Sequence, residues 1–138
     1  MKTYNKHTID TITTILTKID NNATVPIASR ITEIKYSIRI TNNIQLNIEP
    51  NIDVYSGVNI ITGFIVNVMS LNSGKKIESD IIISLDKPIN IVEPDASYYS
   101  SPEKITIENN EITDYDMSRA NIEYVITKIN ELINYYKN

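Results

Sequence analysis

The pattern of hydrophobic and polar positions predicts strands through the middle of the chain and a helix near each end. The central stretch Val58–Leu85 contains two apolar runs joined at Asn72-Ser73-Gly74, a sequence typical of a turn. The first run is apolar on both faces in its middle, which is typical of a central strand whose two faces are both covered. We therefore expect the rest of the chain to pack around this hairpin.

Gly63 interrupts the first apolar run and predicts either a β-bulge or the close approach of another backbone. Strict alternation across this glycine places Ile61, Ile65 and Met69 together on the second face of the strand. That face requires a cover, which is either a helix of the same chain or the same surface of another copy. Its partner strand is predicted to begin at Ile77 and to reach Leu85.

Alternation also predicts a hairpin before this stretch. Its apolar face consists of Ile34, Tyr36, Ile38, Ile40, Ile44, Leu46 and Ile48. A three-residue loop at 41–43 sets Tyr36 opposite Ile48 and keeps every apolar residue on one face, whereas a two-residue loop sets Ile40 opposite Gln45. We therefore expect the three-residue loop, with Asn43 in the left-handed conformation.

Helical spacing of apolar residues appears near both ends of the chain. From Thr8 to Asp20 it predicts a helix capped by Thr8 and stopped at Asn21-Asn22. From Met117 to Tyr136 it predicts a second helix, and this is the clearest periodic pattern in the sequence.

The residues between the central hairpin and the second helix carry weaker signals. Ile89 to Val92 is predicted to form a short strand or an extended arm, and Pro94 to Pro102 a surface loop that carries two tyrosines. Ile105 to Thr113 resembles a small hairpin.

These elements predict a single α+β domain over residues 1–138, with an antiparallel sheet of about four to six strands flanked by an N-terminal and a C-terminal helix. A chain with 41% hydrophobic and 22% charged residues can bury a core without disulfides. Isoleucine outnumbers leucine by 28 to 5, which favours strands but is also the coding bias of an AT-rich genome. That bias suits a viral or mobile-element accessory protein.

Charge and cysteine content limit the classes of partner. The net charge of −4 makes nucleic acid an unlikely partner. Residues 1–76 carry 8 basic and 5 acidic side chains (+3), and residues 77–138 carry 5 and 12 (−7), an asymmetry that favours either self-association or pairing within one monomer. The absence of cysteine, signal peptide and apolar membrane span predicts a cytoplasmic protein with no membrane partner.

No motif for catalysis, cofactor or metal stands out, so the sequence assigns no catalytic residue, cofactor or metal ligand. His7 is the only histidine, and the three glycines do not form a phosphate-binding loop. An acidic cluster (Glu108, Glu111, Asp114, Asp116) offers oxygen ligands for Mg²⁺ or Ca²⁺, but helix capping explains the same residues.

A binding surface is the remaining kind of site. Tyr98 and Tyr99 can stack on a base or a sugar ring, and Lys35, Arg39 and Arg119 can bind a phosphate or a carboxylate. These five residues are the predicted ligand-binding residues. The alternative is that the two tyrosines only cover the sheet.

Three hypotheses for function follow. The first is a non-catalytic, homo-oligomeric binding protein that captures a small polar or nucleotide-like ligand. The second is an adaptor, chaperone-like or virion-assembly protein that binds a protein partner through an apolar sheet face, with Ile61, Ile65 and Met69 as the interface. The third is an enzyme with a carboxylate-based site.

Overall fold

The computed structural model describes residues 4–55, 57–91 and 119–138, with the backbone alone at 55 and 119–122. Its elements are α1 (Lys6–Asp20), β1 (Ala28–Thr32), β2 (Lys35–Arg39), β3 (Ile44–Tyr55), β4 (Val58–Ser70), β5 (Ile81–Ile91) and α2 (Arg119–Lys137). The five strands form one antiparallel sheet in the order β1-β2-β3-β4-β5. The predicted α+β fold, with an antiparallel sheet and a helix at each end, is confirmed.

Helix α1 begins earlier than predicted. The side chain of Asn5 accepts a hydrogen bond from the backbone N–H of Thr8 at 2.9 Å, so Asn5 is the N-cap and Thr8 lies inside the helix. The C-cap is Asn21, as predicted, although its conformation is right-handed. The apolar stripe Ile12, Ile15, Leu16 and Ile19 is fully buried against the sheet.

Both helices pack on the same face of the sheet. The stripe of α1 and Val125, Ile129 and Ile133 of α2 join one hydrophobic core with residues of β2 to β5. Asn130 of α2 accepts a hydrogen bond from the backbone N–H of Thr24 at 2.8 Å, which ties α2 to the chain after α1.

No helix within the described residues packs on the other face of the sheet. We call it the open face. Lys76 is bridged to Met69 on this face, and its other members include Ala28, Arg30, Thr32, Lys35, Ser37, Arg39, Gln45, Asn47, Glu49, Ile65, Asn67, Met69 and Ile82.

The hairpin of β2 and β3 has the predicted register, with Tyr36 opposite Ile48 and Ile38 opposite Leu46. The left-handed conformation predicted for Asn43 is wrong. Among the described residues Glu33 (φ 54°) is the one non-glycine residue with positive φ, and it turns β1 into β2. The sequence pattern does not predict strand β1, because ASRIT has no apolar alternation.

A β-bulge in β4 changes which residues reach the core. Asn51 lies opposite Gly63 and Ile52 opposite Ile61, so Thr62 is an extra residue in the ladder. Because the bulge reverses the alternation, Ile61 points to the helices and is 0% exposed. The prediction that Ile61 shares a face with Ile65 and Met69 is therefore wrong, and only the latter two lie on the open face.

The predictions of a β-bulge and of a close backbone approach at Gly63 are both confirmed. A Cβ atom at this position would overlap the carbonyl oxygen of Ile83 and lie 3.1 Å from the Cα of Ser84. No larger residue fits unless β4 and β5 separate.

Replacing this glycine tests the constraint. Gly63→Ala is expected to lower the free energy of unfolding by about 2–4 kcal/mol, because the clash is with backbone that cannot rotate away. Urea unfolding measures the loss. Gly74→Ala is the control, since Gly74 has φ +72° but nothing within 4 Å of its Cβ position, and about 1 kcal/mol is expected there. Equal losses in the two variants would contradict the steric explanation.

Strand β5 differs from its predicted bounds at both ends. After the turn at 72–74, the chain pairs with β4 in a single bridge, between Lys76 and Met69. Ile77 lies in the connection between this bridge and β5 and is 46% exposed. The strand then runs from Ile81 to Ile91, so the segment from Ile89, predicted as a short strand or an extended arm, begins as the end of β5. Pro88 falls where the pairing with β4 is interrupted, a position at which its missing N–H costs no ladder hydrogen bond.

A buried tyrosine links the end of α1 to the sheet. The hydroxyl of Tyr36 donates to Asp20 Oδ1 at 2.7 Å, and the hydroxyl of Ser29 donates to the same oxygen at 2.7 Å. Burial of the ring, and then the Asp20 carboxylate, raise the pKa of Tyr36 well above its ordinary value. The neutral hydroxyl is thus the form that the fold stabilises.

This linkage predicts a dependence of stability on alkaline pH. Folding raises the pKa of Tyr36 above its value in the unfolded chain, which is about 10. The contribution of Tyr36 to the free energy of unfolding is therefore complete below pH ~10 and falls by about 1.4 kcal/mol per pH unit above it. Tyr36→Phe is expected to lose about 1–3 kcal/mol at pH 7, the value of a hydrogen bond to a charged group. Thermal unfolding at pH 7, 9 and 11 should show a shallower alkaline decline for the variant than for the wild type. Parallel declines would exclude Tyr36 as the titrating group.

Candidate anion-binding site

Three cationic side chains lie together at the β1–β2 corner of the open face. In the register of these strands Arg30 is opposite Ser37, Arg39 opposite Ala28, and Lys35 opposite Thr32. Arg30 is therefore the diagonal neighbour of both Arg39 and Lys35, at a Cα separation of about 7–8 Å. Side chains as long as arginine can converge on one bound group across this distance.

A shallow cavity of about 350 Å³ lies at this corner. Its lining consists of Ala28, Ser29, Arg30, Thr32, Ser37, Arg39 and Gln45. None of these residues is acidic, so the lining carries the charge of its two arginines. The volume falls within the range of small-molecule sites, at its lower end.

The two arginines have no ion-pair partner within the described parts of the chain, whereas four lysines do, namely Lys6, Lys35, Lys76 and Lys128. Lys35 lies 3.8 Å from the carboxylate of Glu49, and both side chains are about half exposed, so this pair contributes little stability. Lys76 lies 3.0 Å from Asp80, and this contact, followed by a hydrogen bond from Asn67, lowers the pKa of Asp80. The uncompensated positive charge of the open face is therefore that of Arg30 and Arg39.

Beside the arginines, a nearly buried amide fixes two polar side chains. The Oδ1 atom of Asn47 accepts hydrogen bonds from Ser37 Oγ at 2.8 Å and from Gln45 Nε2 at 2.9 Å. The Nδ2 atom of Asn47 in turn donates to the Met69 sulfur at 3.0 Å. Ser37 and Gln45 thus have defined orientations at the wall of the cavity, and we call Arg30, Arg39, Ser37 and Gln45 the arginine-pair site.

The structure groups two of the five predicted ligand-binding residues. Lys35 and Arg39 lie at the same corner of the open face. Tyr98 and Tyr99 fall outside the described residues, and Arg119 is the first residue of α2, where the structure describes the backbone alone. All five stay predictions as ligand-binding residues.

Sequence reasoning did not single out Arg30, Ser37 and Gln45, which line this cavity. Arg30 belongs to the unrecognised strand β1, and its position beside Arg39 follows from the pairing of that strand with β2. The alternation of β2 and β3 did place Ser37 and Gln45 on a polar face, which was the available signal.

The residues predicted as a protein interface are divided between the two faces. Ile61 lies in the core, while Ile65 and Met69 are half-buried on the open face beside Ile82, which is 56% exposed. An interface through Ile65 and Met69 stays a prediction, as does homo-oligomerisation.

A second cavity of about 330 Å³ lies between β5 and α2. Its lining is Ile81, Ile82, Ile83, Tyr124, Lys128, Glu131 and Leu132. Here the single cation is engaged within the protein, because the Lys128 Nζ lies 5.6 Å from the centre of the Tyr124 ring and 3.9 Å from the Glu131 carboxylate. This cavity therefore has no free charge with which to select an ion.

Two further findings limit the chemistry of the described residues. No group of three His, Asp or Glu side chains comes together there as a metal site would require, and the predicted acidic cluster at 108–116 is not among them. No described helix has the length and apolar character needed to cross a membrane.

Comparison with known proteins adds no family or relative from which a function can be transferred. The sequence matches no protein-family model, no curated protein and no solved structure. Function must therefore be inferred from the side chains of this chain.

Proposed function

We propose that this protein is a non-catalytic binding protein that holds a small phosphate-bearing molecule at the arginine-pair site. The observation that carries the proposal is the pairing of two arginines at one cavity whose lining contains no carboxylate. The guanidinium group donates two parallel hydrogen bonds that match the spacing of phosphate oxygens. An anion at this position would neutralise charge that no described residue compensates.

The expected affinity is modest, because both arginines are exposed. Hydrogen bonds to charged groups contribute about 1.5–3 kcal/mol each when water competes for them. Two to three such bonds sum to about 3–9 kcal/mol, and because the cost of association takes up part of this, we expect a Kd of about 1 mM. Such a Kd suits the capture or buffering of an abundant metabolite.

The number of free cations favours a small molecule over nucleic acid. Polyanion binding uses several phosphate contacts along an extended basic surface. On the open face only Arg30 and Arg39 are uncompensated among the described residues, and the net charge of the whole chain is −4. The cavity of about 350 Å³ holds a phosphate with a small attached group.

Removing both guanidinium groups tests the proposal. Inorganic phosphate, titrated by calorimetry or by changes in amide chemical shifts at low salt, is expected to bind the wild type and to lose at least tenfold in affinity in Arg30→Ala/Arg39→Ala. The physical reason is the loss of the charge-assisted bonds. Raising the salt to about 0.5 M should weaken wild-type binding several-fold, since the site is exposed and screened.

The matched control is Lys18→Ala/Lys75→Ala, which changes the net charge by the same amount at two exposed lysines outside the cavity lining. It should bind phosphate within about twofold of the wild type, since distant exposed charges are largely screened. An equal loss in both double variants would show that only net charge matters. Absence of binding to the wild type at millimolar phosphate would refute the site.

A further inference from the structure

We infer that the molecule bound at the arginine-pair site carries hydroxyl groups beside its phosphate, as sugar phosphates and polyol phosphates do. This inference rests on the proposed function, because it names the class of ligand for the same site. Its basis is the division of the cavity wall between hydrogen-bond donors and hydrogen-bond acceptors.

One part of the wall can only donate. The guanidinium groups of Arg30 and Arg39 carry N–H donors and no acceptor. They therefore suit the phosphate oxygens and offer nothing to a hydroxyl proton.

The other part of the wall mainly accepts. Ser37 has a single hydroxyl proton, and it is donated to Asn47 Oδ1 at 2.8 Å, which leaves the lone pairs of Ser37 Oγ for a ligand. Gln45 donates one N–H to the same oxygen at 2.9 Å and keeps its carbonyl oxygen, together with one further N–H. A ligand at this wall meets mostly oxygen lone pairs.

The orientation of Asn47 maintains this polarity. Its Nδ2 atom donates to the sulfur of Met69, and a thioether sulfur can accept a hydrogen bond but cannot donate one. Turning the amide over would place Oδ1 against that sulfur and would lose the contact. Asn47 is only 8% exposed and does not line the cavity, so it acts as a positioning residue behind the wall.

The acceptors lie next to the donors. Ser37 is directly opposite Arg30 in the ladder, where Cα atoms are about 4.5–5.5 Å apart. A hydroxyl on the first or second carbon after a phosphate ester can reach Ser37 while the phosphate contacts the arginines. A ligand that lacks donors would leave these lone pairs without partners when it excludes water.

A pair of probes with the same phosphate tests the inference. Glycerol 3-phosphate and propyl phosphate have three carbons and one phosphate monoester each, and only the former carries hydroxyls. By calorimetry, glycerol 3-phosphate is expected to bind the wild type about three- to tenfold more tightly, the factor of roughly one neutral hydrogen bond. In Ser37→Ala the ratio of the two affinities should fall toward one while propyl phosphate still binds.

Asn47→Ala provides a second variant, because it frees the donors of Ser37 and Gln45 to turn toward the ligand and should also lower the ratio. Thermal unfolding verifies that both variants are folded. Equal affinities for the two probes in the wild type, or an unchanged ratio in folded Ser37→Ala, would overturn the inference and leave the arginine-pair site intact. If neither probe nor inorganic phosphate binds, the proposed function fails and this inference fails with it.

Discussion

The close approach of Gly63 to the backbone of Ile83 is the constraint on which the arrangement of the sheet depends. It lets β4 pair closely with β5 at Ser84, beside the point where an extra residue, Thr62, enters the ladder with β3 and the pairing with β5 is interrupted. The extra residue reverses the alternation, so Ile61 joins Phe64 and Val66 on the side of the helices. The central strand therefore supplies four apolar side chains, Ile61, Phe64, Val66 and Val68, to one core, and both helices pack on that core.

One-sided packing gives the two faces of the sheet different chemistry. The covered face is almost entirely apolar, and its polar exceptions, such as the hydroxyl of Tyr36, have partners. The open face carries amides, hydroxyls and charges, with Asn47 nearly buried among its neighbours. Hydrogen bonds from Ser37 and Gln45 to Asn47 fix side chains that would otherwise move freely in solvent. Side chains held on paired strands are better ordered for binding than side chains on a loop.

The arginine-pair site is distinguished by the absence of ion-pair partners within the described residues, not by the number of cations on the open face. Lys35 and Lys76 have carboxylates within 4 Å, and these exposed pairs contribute little stability but reduce the local charge. Arg30 and Arg39 have no such neighbour among the described residues, although the chain as a whole is acidic. A protein with an acidic background can thus present a small, locally cationic surface.

Local periodicity in the sequence determined the two helices, the strands of the middle region and the register of Tyr36 with Ile48, because these depend on neighbours within a few residues. It also identified Gly63 as a special position, since glycine inside an apolar strand often marks a bulge or a close backbone approach. The face on which Ile61 lies, and the strand that contains Arg30, were decided only by tertiary structure. One extra residue in a strand moves every following side chain to the opposite face of the sheet, and the residue types along the strand do not reveal this. Arg30 likewise lies near Arg39 only because β1 pairs with β2. The sequence of β1, ASRIT, has no apolar alternation from which this pairing could be predicted.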